Sequence, residues 1–86
     1  MTLTLLTRAY CHLCDEMRDA LAPLVAGRGV TVDERDVDAD AALESRYGDL
    51  VPVLLLGGPD DGRELCHYRL DAAAVRRAID GGSVRA

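Results

Sequence analysis

Eighty-six residues make one domain, residues 1–86, of a size that buries about 60 to 65% of its unfolded surface and folds without staples. Fifteen acidic residues against ten arginines and no lysine give a net charge of −5, which repels phosphate backbones and anionic membrane surfaces, and with no Trp or Phe there is no stacking platform, so nucleic acid and membrane are excluded as partners. No apolar run is long enough to span a bilayer, Met1 to Leu6 lacks the features of a signal peptide, and three cysteines in such a chain point to a reducing, cytoplasmic compartment.

Thr2 to Thr7 is β-prone and largely apolar, which suits a buried strand of a parallel arrangement. A helix then starts at the cysteine turn. Leu13, Met17, Ala20, Leu21, Leu24 and Val25 recur at helical spacing, while Asp15, Glu16, Arg18 and Asp19 take the other face. Pro23 removes a hydrogen bond and is expected to kink this helix or end its regular part near Asp19 to Ala22, with Gly27 and Gly29 closing the segment. Val30 to Val37 alternates at first and turns acidic at Asp33 and Glu34, the pattern of a strand near a sheet edge. Asp36-Val37-Asp38-Ala39-Asp40 leads into a short second helix that Asp38 or Asp40 can cap, with Leu43 and Tyr47 on its inner face and Gly48 as its stop.

Val51 to Leu56 is the most continuously apolar segment and predicts a central strand, with proline tolerated only at its start. Gly57 to Gly62 is a turn, and Arg63 to Tyr68 a strand running back, so the two form a hairpin. Asp71 caps a third helix, with Leu70 and Val75 as a hydrophobic staple and Gly81 and Gly82 as its stop; the last four residues are expected to fray. The order is β-α-β, then α, then β-β-α. A first βαβ unit is parallel and right-handed and the closing hairpin antiparallel, so a mixed four-stranded sheet with helices on both faces follows.

Chemistry concentrates where the first strand hands over to the first helix, at Cys11-His12-Leu13-Cys14. A cysteine there stands among the free backbone N–H groups of the first turn, where thiol pKa values fall from about 8.5 to roughly 3.5 to 7.5. Cys14 shares a face with Met17 and Leu21 and is the more buried sulfur. An exposed thiolate beside a shielded thiol suits disulfide exchange: Cys11 attacks and Cys14 resolves. A lone CxxC can also be half of a zinc site, but no second CxxC follows, and Cys66, His67 and His12 offer no usual finger spacing. Covalent haem needs histidine directly after the second cysteine, where this chain has Asp15.

With CxxC opening the first helix and Val51-Pro52 opening the third strand, the chain resembles the thioredoxin fold and, in size and element order, a glutaredoxin. The Cys-His-Leu-Cys-Asp run at residues 11–15, the Asp-x-Asp-x-Asp at 36–40 and the Tyr-Gly-x-x-Val-Pro-Val-Leu segment at 47–54 are similar to small bacterial glutaredoxin-like proteins. The resemblance covers nearly the whole chain. It implies an α/β thioredoxin-like fold, βαβαββα, with a four-stranded mixed sheet in the order 2-1-3-4 flanked by three helices. It also implies that Pro52 is cis and faces the cysteine turn, and that Val51 pairs through its backbone with a bound thiol substrate; otherwise Pro52 is an ordinary strand-opening proline. Glutaredoxins hold glutathione partly through a basic residue three positions before the first cysteine, a threonine before Val-Pro, and a Gly-Gly and acidic cluster after the last strand. Arg8 matches the first, but Leu50 replaces the threonine and His67-Tyr68-Arg69 stands where the glycines would be.

The remaining residues carry two readings each. His12, when protonated, would stabilise the Cys11 thiolate; otherwise it is an exposed side chain of weak influence, since histidine is largely neutral at pH 7. Tyr10 shields Cys11 or contacts substrate, or else packs at the end of the first strand. Arg8 and Arg69 attract a carboxylate-bearing thiol, or else are solvated surface. Cys66, with Leu65 and His67 on the opposite face of its strand, is read as a small core residue, with a third redox thiol as the alternative. The expected activity is that of a monomeric thiol-disulfide oxidoreductase acting on a disulfide-containing protein or small thiol, with no bound cofactor and glutathione as candidate co-substrate. A metal or iron-sulfur module built on Cys11, and a non-catalytic interaction protein, are the competing classes.

Overall fold

A computed structural model of the chain describes the backbone of residues 1–84 and the side chains of residues 1–81. Four strands, β1 (Thr2–Thr7), β2 (Thr31–Asp36), β3 (Val53–Leu56) and β4 (Arg63–His67), form one sheet in the order β2-β1-β3-β4. β1 runs parallel to β2 and antiparallel to β3, and β3 antiparallel to β4. Three helices, α1 (His12–Val25), α2 (Ala41–Tyr47) and α3 (Ala72–Val84), complete the βαβαββα order that the resemblance implies.

Alternation along the two inner strands sends side chains to both faces. Leu3, Leu5 and Leu54 meet Met17 and Leu21 of α1 and Val75 and Ile79 of α3. Leu6, Val53 and Leu55 meet Val37, Leu43 and Tyr47 on the other side. The apolar run of β1 is buried from Leu3 to Thr7 because helices cover both its faces, whereas the edge strand β2 has no buried residue.

Several boundaries depart from the sequence reading. α1 does not end before Pro23 but runs through it to Val25, and the Ala26 N–H still donates to the Ala22 carbonyl at 3.1 Å. In the last turn the proline deprives only the Asp19 carbonyl, on an exposed residue, while Leu21, Leu24 and Val25 pack inward. Gly27 and Gly29 then close the segment with φ of +71° and +69°. α3 likewise does not stop at Gly81 and Gly82; it continues to Val84, since glycine permits a left-handed stop without compelling one, and Gly81 keeps a helical backbone. Of the tail expected to fray, Ser83 and Val84 are helical and residues 85–86 lie outside the described residues.

Asp40, not Asp38, caps α2, its Oδ1 accepting from the Ala42 and Leu43 N–H groups at 2.9 and 3.3 Å. Asp36 caps a separate 3₁₀ turn, Val37–Ala39, that seats Val37 in the core. Asp71 caps α3 through the Ala74 N–H at 3.0 Å, with Leu70 and Val75 in one cluster. Finally, Leu65 and Cys66 do not alternate: Leu54 faces Cys66 while Leu55 faces Glu64, so a β-bulge leaves Leu65 unpaired and both residues pack on the α1/α3 side.

Candidate active site

Three segments converge at one end of the sheet. β1 leads out into the cysteine turn, β3 begins just after the Val51–Pro52 bond, and β4 leaves the sheet at His67, which pairs with Val53. The Val51–Pro52 peptide is cis.

Cys11 is the N-cap of α1. Its backbone is extended, with φ −111° and ψ 105°, so its side chain turns back over the first turn and its Sγ accepts the Cys14 N–H at 3.1 Å. That is the place a serine or aspartate takes in an ordinary cap, with sulfur as acceptor. Its carbonyl accepts the Asp15 N–H at 3.2 Å. Cys11 is half-buried and Cys14 is 1% exposed, the asymmetry expected from helical spacing. The two are joined as a disulfide across Cα atoms 5.2 Å apart.

Tyr10 does not pack against the end of β1. It adopts φ +58° and its ring stands free in solvent immediately before Cys11. His12 is the exposed first residue of α1. Asp15 is held by Arg18 at 2.8 Å, and Arg18 also pairs with Glu34 of β2. The hydrogen bond from Arg18 holds the Glu34 carboxyl below the usual carboxylate range and raises the guanidinium in turn.

Arg8 sits on the other flank with its fork filled. Nε and Nη2 meet the Asp38 carboxylate at 3.1 and 3.0 Å, Nη1 donates to the Gly48 carbonyl at 3.1 Å, and Glu44 lies 3.8 Å from Nη2. Arg8 thus ties the cysteine turn to α2. Arg69 lies apart from it, beside a groove of about 280 Å³ bounded by Leu13, Glu16 and Met17 of α1 and by Tyr68.

Pro52 is buried and Val51 half-buried. The Pro52 carbonyl accepts the Tyr68 N–H at 2.9 Å, but among the described residues neither the N–H nor the carbonyl of Val51 has a partner. Those two groups are free to pair with an extended chain. Tyr68, absent from the sequence-derived site, belongs here. Its phenol donates to the Asp49 carbonyl at 2.9 Å from a residue with φ +65°. The available signal was His67-Tyr68-Arg69 standing where the resemblance to glutaredoxins implies glycines.

Cys66 remains a thiol, half-buried among Leu65, Leu54 and their neighbours; burial pushes its pKa up. Among the described residues no three His, Cys, Asp or Glu side chains cluster as metal ligands, and no helix is long and apolar enough to cross a membrane.

Comparison with known proteins gives a consistent picture. A family model described as Glutaredoxin-like domain (DUF836) matches residues 2–80. A Mycobacterium tuberculosis protein, Rv0508, is 36% identical over 80 residues, spanning 87% of this chain and 78% of its own. A crystal structure of a structural-genomics target from X. campestris is 46% identical with a TM-score of 0.68, covering 92% of this chain and 96% of that one. The solution structure of a protein from Nitrosomonas europaea is 34% identical with a TM-score of 0.72, covering 86% and 85%. A variant thioredoxin from Halobacterium salinarum is 26% identical with a TM-score of 0.68, covering 93% and 72%.

Proposed function

The chain belongs to the glutaredoxin-like domain family and carries a Cys11–Cys14 pair on a thioredoxin-like fold, and from that premise we propose that it is a thiol-disulfide oxidoreductase. The observation that carries this reading is the Cys11 sulfur seated as the cap of α1, accepting the Cys14 N–H, with the second sulfur buried beneath it. Backbone N–H groups and the positive end of α1 stabilise a thiolate there.

The reduced protein then acts in two displacements. The Cys11 thiolate attacks one sulfur of a substrate disulfide, forming a mixed disulfide and expelling the first substrate thiolate. Cys14 loses its proton and attacks Cys11 Sγ, expelling the second substrate thiolate. Two electrons pass to the substrate, the released thiolates take up protons, and the Cys11–Cys14 disulfide is left. Val51 aligns the substrate chain through its free N–H and carbonyl, and Pro52 fixes Val51 beside the cysteine turn.

The substrate is a disulfide-bearing polypeptide or small disulfide. Glutathione enters as a co-substrate that resets the pair, two molecules supplying two electrons, and not as a ligand of Arg8, whose fork is filled by Asp38 and Gly48. Tyr10 and His12 flank the attacking sulfur on its exposed side, and Arg69 borders the groove beyond Leu13. The protein acts as a monomer in the cytoplasm, where thiols are kept reduced.

The test is equilibration in reduced and oxidised glutathione, quenched by an alkylating mass tag and mapped by mass spectrometry. Cys11 and Cys14 are expected to oxidise together with one midpoint, and Cys11→Ser to lose disulfide-reducing activity. Full activity in Cys11→Ser, or two thiols that stay reduced throughout, would overturn the assignment; metal retained by freshly purified, unoxidised protein would favour a metal module instead.

A further inference from the structure

Tyr68 leaves β4 with φ +65°, a conformation that is unfavourable for every residue type but glycine and is tolerated in Asn and Asp. Strain of this kind persists where the surroundings enforce it, and here the surroundings are two hydrogen bonds to one loop. The Tyr68 N–H donates to the Pro52 carbonyl and its phenol to the Asp49 carbonyl, each at 2.9 Å. One residue thereby spans Asp49, Leu50, Val51 and Pro52. The left-handed turn carries the ring out of the strand and across that loop; glycine would relieve the backbone and could not reach.

The other anchors of the loop lie at its start. Arg8 donates to the Gly48 carbonyl at 3.1 Å and the Leu50 N–H to the Tyr47 carbonyl at 2.8 Å. His67 braces the tyrosine from behind, its ring edge-on at 4.7 Å and its Nδ1 2.7 Å from Glu64 Oε2. Between these anchors only Val51 keeps both backbone groups open among the described residues.

We infer that Tyr68 is a positioning residue for disulfide exchange: by clamping Asp49 and Pro52 it holds the open N–H and carbonyl of Val51 in the one orientation that aligns a substrate chain with Cys11. The inference rests on the exchange reading above. Tyr68 acts through the loop and not on the sulfur, so its loss slows reactions that use the Val51 template and spares those that use Cys11 alone.

The test compares wild type with Tyr68→Phe, which keeps the ring and removes the phenol bond, on the full chain. Three quantities are read: the rate at which the reduced protein cleaves insulin disulfides, the rate of Cys11 alkylation by iodoacetamide, and amide hydrogen exchange at Leu50. Tyr68→Phe should reduce insulin about fivefold more slowly, as expected for one lost hydrogen bond, with Leu50 exchanging several-fold faster and alkylation unchanged. If Tyr68→Phe does not fold, Tyr68→Gly, which suits the backbone but carries no side chain, is expected to show the same split. A variant that matches wild type on insulin, or that loses alkylation in equal measure, overturns the role alone. Wild-type protein that leaves insulin intact overturns the exchange reading and this role with it.

Discussion

Placement sets the Cys66 thiol apart from the bonded Cys11–Cys14 pair. Cys66 stands against Leu54 behind the β-bulge, and burial pushes its pKa up, with the Asp71 and Glu64 charges adding to the effect and a backbone hydrogen bond from Asp71 opposing it. A thiol whose folded pKa lies above its unfolded value stabilises the fold fully below the unfolded value, about 8.5, and less as pH rises toward the folded one. Urea denaturation between pH 7 and pH 10 should therefore show wild type losing stability on the alkaline side more steeply than Cys66→Ala, and parallel profiles would contradict the burial. The alternation of residues 63–68 placed Leu65 opposite Cys66, because a bulge leaves no mark in so short a pattern. Arg8 makes the converse case: its position before Cys11 was legible, its partners were not, since Asp38, Glu44 and Gly48 come from 30 to 40 residues away. With the fork occupied, Arg8→Gln should raise the KM for glutathione by less than about threefold, the size of a surface contact. A much larger rise would mean that the arginine leaves Asp38 to hold the tripeptide.

Each helix begins on a side-chain acceptor that the sequence displays: Cys11 for α1, Asp40 for α2 and Asp71 for α3. Caps are legible because they act within three residues. Asp71→Ala should cost about 1 kcal/mol in urea denaturation, the usual worth of a cap, and Asp71→Asn should recover most of it. Helix ends are less legible because packing several strands away decides them. Pro23 is carried through by the inward pull of Leu24 and Val25, and nothing local to Gly81 forces the left-handed turn that would stop α3 there. Between elements, Arg18 joins α1 to the edge strand β2 through Glu34. Glu34 titrates below its unfolded value because Arg18 bonds it, so its contribution is present above about pH 4.3 and is lost as pH falls through the folded pKa. The stability gap between wild type and Arg18→Met should accordingly close in acid, and a gap independent of pH would assign the role of Arg18 to its aliphatic stem.

The order of elements, the two-sided burial of β1 and β3 and the cysteine turn were all present in apolar periodicity and in one CxxC, since a thioredoxin-like sheet repeats those signals along most of the chain. The aromatic residues were harder to place: Tyr47 is core, while Tyr10 and Tyr68 are turned to the surface by left-handed backbones that no periodicity reveals. The sheet has two separate apolar faces, and they serve different parts of the site. Leu54, fully buried beside Leu5, lies beneath Met17 and Leu21 of the helix that carries both cysteines, whereas its neighbour Leu55 lies beneath Leu43 and Tyr47 of α2. Truncating either to alanine removes comparable apolar volume and should cost about 2 to 5 kcal/mol, a large part of the roughly 5 to 15 kcal/mol that holds such a domain folded. The distribution of that loss should differ. Hydrogen exchange in Leu54→Ala should accelerate in α1 more than in α2, and Leu55→Ala should reverse the order, because each cavity frees the helix that rests on it. Only the first variant should also expose Cys14 of the reduced protein to rapid alkylation, since the buried sulfur shares the face of α1 that Leu54 supports. Identical exchange patterns in the two variants would mean that the sheet transmits either cavity to both layers, and the shielding of Cys14 would then belong to the whole core instead of one face.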